Sequence, residues 1–104
     1  VMVLGMGADG HTLSWFADAE GIDTALDPEN PLNVAAIDAP KTKITGEHTL
    51  RMTLTLPVVA RARYILLLLN GEKKRAVYER QDRSHPVTLM RKAAGDALTI
   101  FSSS

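Results

Sequence analysis

The sequence predicts an α/β fold, a mostly parallel sheet flanked by helices. Two short apolar runs, Val1–Leu4 and Tyr64–Leu69, have the length and residue types of buried strands. Each runs into a glycine-bearing turn, Gly5-Met-Gly-Ala-Asp-Gly10 after the first and Asn70-Gly71 after the second. Helix-compatible segments alternate with the strands, which is the pattern of a sheet built by crossovers.

Taken in order, Val1–Leu4 reads as a strand, Gly5–His11 as a loop and Thr12–Ala19 as a short helix. Gly21–Pro31 holds Gly, Asp, Asn and two prolines and reads as loop. Asn33–Ile37 is a short strand, and Asp38–His48, polar and broken by Pro40 and Gly46, is a surface excursion. Leu50–Leu56 alternates as a strand does. Pro57 suits the first turn of a helix running to Arg63. Tyr64–Leu69 is apolar at every position, as a central strand covered on both faces should be. Glu72 to Gln81 is a helix with Ala76, Val77 and Tyr78 on its buried side, Pro86–Lys92 another helix, and Ala97–Phe101 the last strand before the polar tail Ser102–Ser104.

With 104 residues, 45% of them hydrophobic, the chain holds one small domain and enough apolar material for a core. Twelve basic and 12 acidic residues balance, against the basic excess of a nucleic-acid binder. The absence of cysteine excludes disulfides, thiolate metal sites and a cysteine nucleophile. The longest apolar run is far short of the about 20 residues a membrane helix needs. Val1 lies within a strand, with no turn or cap before it. The sequence is therefore expected to be the C-terminal part of a larger domain, with little activity alone and a tendency to self-associate.

The chemistry-bearing residues gather at the turns. If the two clearest strands run parallel, their C-terminal ends share one sheet edge, where open α/β sheets place their ligands. Asp9, His11 and the Gly71–Lys74 turn then lie together. Glycines there let the backbone turn sharply and present its N–H groups. His11 suits a general base, with Asp9 orienting the imidazole or holding a substrate hydroxyl; otherwise it caps the next segment. Lys74 at a helix start suits a phosphate, or is one cation of a solvated helix face. Arg51 suits an anionic ligand or a strand surface equally. Gly5, Gly7 and Gly10 match G-x-G-x-x-G, but the following segment is too short for a dinucleotide unit, and Asp9 would repel a pyrophosphate. Asp9 and His11 lack a third metal ligand, since His48 and His85 lie in unrelated polar segments and read as solvated. Trp15 and Phe16 are expected to pack the loop against the core.

Three segments resemble the 6-phosphogluconolactonase family, in the right order and across nearly the whole chain. They are Leu4-Gly-Met-Gly-Ala-Asp-Gly-His-Thr-Leu-Ser-Trp-Phe16, Leu50-Arg-Met-Thr-Leu-Thr-Leu-Pro57 and Leu69-Asn-Gly-Glu-Lys-Lys74. Only the first is diagnostic alone. The resemblance implies a Rossmann-like sheet shared with glucosamine-6-phosphate deaminases. It also implies a cytoplasmic enzyme of the oxidative pentose phosphate pathway that hydrolyses 6-phospho-D-glucono-1,5-lactone without an organic cofactor or metal. Its partner is the phosphorylated sugar lactone, with no nucleic acid or membrane. Residue by residue, His11 takes the base, Asp9 the acid beside it and Lys74 the phosphate lysine, with Gly7, Gly10 and Arg51 as further substrate-binding positions. The chain departs from the family at Ala17, where a proline is usual, and it lacks the segment that carries the family's first phosphate loop. The rival readings are an isomerase or deaminase of the same superfamily, disfavoured because no glutamate follows His11 closely, and a non-catalytic sugar-phosphate-binding fragment.

Overall fold

The computed structural model describes residues 1–103. The chain runs β1 (Met2–Gly5), α1 (Ile22–Ala25), β2 (Val34–Asp38), β3 (Leu50–Leu54), α2 (Leu56–Arg61), β4 (Ile65–Asn70), α3 (Glu72–Glu79), α4 (Pro86–Ala94), a 3₁₀ turn at Gly95–Ala97, and β5 (Leu98–Ser103). β1, β4 and β5 form a three-stranded sheet in the order β1-β4-β5. All its pairings are parallel, with Leu4 beside Leu67 and Leu67 beside Ile100. The two glycine-bearing turns therefore leave the same edge of the sheet. No described helix is long and apolar enough to cross a membrane.

β4 is the central strand, yet only one of its faces is buried. Ile65, Leu67 and Leu69 are covered, joined in one core by Val59 of α2, Val77 and Tyr78 of α3, and Val87 and Met90 of α4. Val3, Leu68 and Phe101 stay exposed on the opposite face. The expectation of a strand buried on both sides is corrected: successive side chains alternate faces, and α2, α3 and α4 all send apolar residues to one of them. Ala76 is likewise exposed, whereas Val77 and Tyr78 are buried.

β2 and β3 lie outside the parallel sheet. They pair antiparallel with each other, Ala36 beside Met52, so the expected strands exist but form their own ribbon. The segment after the glycine loop holds that ribbon in place. The Trp15 indole N–H donates to the Leu54 carbonyl at 2.8 Å, and the Ser14 amide to Thr53 Oγ1 at 3.2 Å. Glu20 and Asp38 exchange backbone hydrogen bonds at 2.9 and 3.0 Å.

Thr12–Ala19 is not the helix expected from its sequence. Thr12 forms isolated bridges with Met6 and Trp15, and Leu13 takes a φ of 55°, a left-handed conformation that interrupts an α-helix. The helical turn falls later, at α1, inside the stretch read as loop. Leu56 starts α2 rather than ending β3, with Pro57 in the first turn. α3 stops at Glu79, and Gln81 beyond it has a φ of 52°. Asp82 then closes the α3–α4 turn. Its carboxylate accepts from the Ser84 hydroxyl at 2.7 Å and the Ser84 amide at 2.9 Å, bonds that hold its pKa below the ordinary value. Ser102 and Ser103, expected in a tail, continue β5 beside Leu69 and Asn70; Ser104 lies outside the described residues.

Trp15 is fully buried and its N–H ties the loop to β3. Trp15→Phe leaves the Leu54 carbonyl without that donor and is expected to lower stability by about 1–3 kcal/mol, measured by urea unfolding. An unchanged midpoint would mean the hydrogen bond contributes nothing to the joint.

Candidate active site

The loop after β1 closes on itself through backbone hydrogen bonds. The Gly7 amide donates to the His11 carbonyl at 2.9 Å and the Gly10 amide to the Gly7 carbonyl at 3.0 Å. Thr12, fully buried, donates its hydroxyl to the Gly5 carbonyl at 2.7 Å, fixing the loop's exit to its entry. These bonds correct one expectation. The amides of Gly7, Gly10 and His11 are not presented to a ligand but used within the loop, the last by donating to Asp9 Oδ1 at 3.1 Å.

Asp9 and His11 form a pair, with Nδ1 and Oδ1 2.5 Å apart. An ionised carboxylate only accepts hydrogen bonds, so Nδ1 carries the proton and donates it. In the neutral ring Nε2 then bears the free lone pair, the arrangement that suits a base. Gly7 sits directly beneath the pair: a methyl group there would collide with Nδ1 and Cε1 of His11 and approach Asp9 Oδ1 to 2.7 Å. The motif needs glycine here because the imidazole occupies the side-chain space. Gly10 has a φ of 86°, and a Cβ on it would enter the His85 ring.

The imidazole also stacks on Phe16, with centroids 4.3 Å apart and planes at 23°. On Phe16 lies the Arg51 guanidinium, 5.2 Å from the ring centroid, its Nε donating to the His48 carbonyl at 2.8 Å. Arg51 thus reaches the site through Phe16. It does not line the cleft beside His11, a volume of about 710 Å³ walled by Gly5, Gly7, Ala8, His11, Ile44 and Lys74. Of the candidates from sequence, Gly7, His11 and Lys74 meet in that cleft, and Asp9 joins through His11. Gly10 faces away toward α4, where its carbonyl accepts from the Val87 amide at 3.0 Å.

Three contributors were not legible as such. Phe16 packs in the core as expected and is in addition the wall against which the imidazole lies. Ile44 enters from the segment read as a surface excursion. His85, read as solvated, packs on Gly10 and has a buried Nδ1 without a hydrogen-bond partner among the described residues. The five-residue spacing of His11 and Phe16 was visible, but nothing local points Ile44 or His85 at this loop. Among the described residues no group of three His, Asp or Glu side chains is placed to hold a metal ion.

A parallel sheet carries a closed glycine loop, an Asp–His pair and a lysine at one edge, which defines an α/β protein of the Rossmann-like kind. The chain belongs to the family described as glucosamine-6-phosphate isomerases/6-phosphogluconolactonase, whose model matches residues 1–99. It is 34% identical over 105 residues to a 6-phosphogluconolactonase of Neisseria meningitidis serogroup A, covering 97% of this chain and 43% of that protein. Identity to the Rhizobium meliloti 6-phosphogluconolactonase is 33% over 106 residues, covering 97% and 44%. A solved 6-phosphogluconolactonase from Shewanella baltica superposes with a TM-score of 0.75 at 30% identity, over 98% of this chain and 43% of that one. The chain therefore spans less than half the length of the relatives it matches.

Gly7→Ala is expected to push the imidazole off Asp9 while the sheet persists. The Asp9-bonded Nδ1–H proton resonance of His11 should disappear, with the far-ultraviolet spectrum unchanged. Survival of that resonance would show that the ring does not need the space above Gly7.

Proposed function

We propose that this chain carries the base-and-lysine portion of a 6-phosphogluconolactonase site and that the natural protein bearing it opens 6-phospho-D-glucono-1,5-lactone in the oxidative pentose phosphate pathway, in the cytoplasm. The observation that carries this reading is the hydrogen-bonded Asp9–His11 pair in one cleft with Lys74. In this reading residues 1–104 are the C-terminal part of a single such domain, and the 43% of the relative's length that the chain covers supports its being a part.

In this mechanism the lactone carbonyl lies near Nε2 of His11 with water between them. Nε2 takes a proton as the water oxygen bonds to the carbonyl carbon. Asp9 accepts from Nδ1–H and stabilises the imidazolium that forms. The tetrahedral intermediate collapses by breaking the bond to the ring oxygen, and the imidazolium returns its proton to that oxygen. Every proton is accounted for, and no covalent enzyme intermediate is needed. The mechanism gives Ser14 no nucleophilic role: it lies beyond the loop and is not among the residues that line the cleft of His11 and Lys74. Lys74, without a carboxylate partner among the described residues, supports the phosphate as a point charge at the opening of α3.

The test is loss of the lactone in a coupled assay with the natural protein. Acceleration over spontaneous opening is expected; deamination of glucosamine 6-phosphate without it would move the chain to the isomerase side of the family. His11→Ala should lower turnover by at least about a hundredfold, the lower end for a lost general base, with little change in substrate binding. Near-normal turnover would remove His11 from the chemistry.

Lys74→Ala should weaken binding about ten- to a hundredfold through the phosphate, in line with about 1.5–3 kcal/mol for a charged hydrogen bond. The unphosphorylated lactone should be unaffected. Equal losses for both substrates would make Lys74 structural.

A further inference from the structure

A second cleft, of about 920 Å³, lies between the end of α3, α4 and β5. It shares no lining residue with the cleft of His11 and Lys74. Its apolar surface comes from Leu89, Leu98 and Ile100, and its rim carries Arg83, Arg91 and Lys92, with no acidic side chain among the lining residues.

Among the described residues, none of the three cations forms a salt bridge. Arg91 rests its guanidinium over the Tyr78 ring, 4.7 Å from the centroid, which fixes the side chain and leaves its N–H groups available. Asp82, next to Arg83 in sequence, is turned to Ser84, and exposed Asp96 does not line the cleft. Burial pushes the Tyr78 phenol up while Arg91 pulls it down, burial being the larger effect, so the hydroxyl remains a proton donor at neutral pH.

A concave surface with cationic donors, no carboxylate and an apolar floor is complementary to an anion that carries an apolar part. Two guanidinium groups suit phosphate oxygens, which they can hold through paired N–H donors. Such concentrated charge is local, because the chain as a whole is neutral. We infer that the cleft between α3, α4 and β5 binds a small organic polyanion of the nucleoside diphosphate class, its phosphates on Arg83, Arg91 and Lys92 and its apolar portion on Leu89 and Leu98.

The experiment titrates the natural protein that carries this chain with ADP, inorganic pyrophosphate and adenosine, following affinity by calorimetry and position by backbone amide shifts. ADP is expected to bind and to shift the amides of Gln81, Arg83, Leu89 and Arg91, leaving Gly7 and His11 in place. Pyrophosphate, which lacks the apolar part, and adenosine, which lacks the charge, should each bind at least about tenfold more weakly. Arg91→Gln should weaken ADP binding about tenfold or more, as expected for losing a charged hydrogen bond, and Arg91→Lys less. The double variant of exposed residues, Arg83→Gln with Lys92→Gln, gives the same reading without touching the Tyr78 contact. Lys74→Gln should leave ADP binding unchanged. No binding of ADP, shifts confined to the His11 cleft, adenosine binding as tightly as ADP, or indifference to both sets of charge-removing variants would each overturn the inference.

Discussion

The parallel pairing of β1 with β4 is the constraint on which the rest of the molecule depends. Because the strands run the same way in the register Gly5 beside Leu68, whatever follows either strand emerges at the same edge. The closed loop Gly7–His11 follows one, and the turn into α3 follows the other. An antiparallel pairing of the same two strands would set His11 and Lys74 at opposite ends of the sheet. The pairing is held by burial: Leu4 and Leu67 share a covered face with Val59, Val77 and Met90, and removing that apolar area from water is the main favourable contribution to the fold.

The loop itself is ordered by the satisfaction of its own polar groups. Backbone bonds close it, the Thr12 hydroxyl binds the Gly5 carbonyl and the Val87 amide binds Gly10. With the backbone fixed, the imidazole is constrained on three sides: Asp9 at Nδ1, Gly7 beneath and Phe16 against its face. Such constraint leaves Nε2 as the ring nitrogen not engaged by Asp9, and a ring so held would need little reorganisation in the proposed proton transfer. Arg51 contributes by lying on Phe16 and binding the His48 carbonyl, which couples the β2–β3 ribbon to the loop.

The ribbon explains how a small chain supports a rigid edge. It does not extend the parallel sheet but buttresses the segment after the loop, through Trp15, Ser14 and the Glu20–Asp38 exchange. The same excursion between β2 and β3 delivers Ile44 to the wall of the cleft. On the other side of the core, the turn organised by Asp82 and Ser84 separates α3 from α4 and places Arg83 at the second cleft. The two clefts are thus built from separate loops around a shared core.

Residue order by itself determined the parts whose causes are local. Apolar runs too short for helices marked the strands, glycines marked the turns, and Pro57 and Pro86 marked the first turns of α2 and α4. The Asp9–His11 pairing was legible because two residues in a tight loop are within reach of one another whatever the rest of the chain does. Tertiary structure alone decided what depends on distant partners. Which face of β4 is buried followed from where the helices pack, since an all-apolar strand carries no alternation to specify it. The expected helix at Thr12–Ala19 gave way because Thr12, Ser14 and Trp15 bond to Gly5, Thr53 and Leu54, contacts that outweigh a weak local preference for helix. Arg51 lies on Phe16 rather than in the cleft, and His85 lies on Gly10, because contacts between residues far apart in sequence exist only once the core has formed.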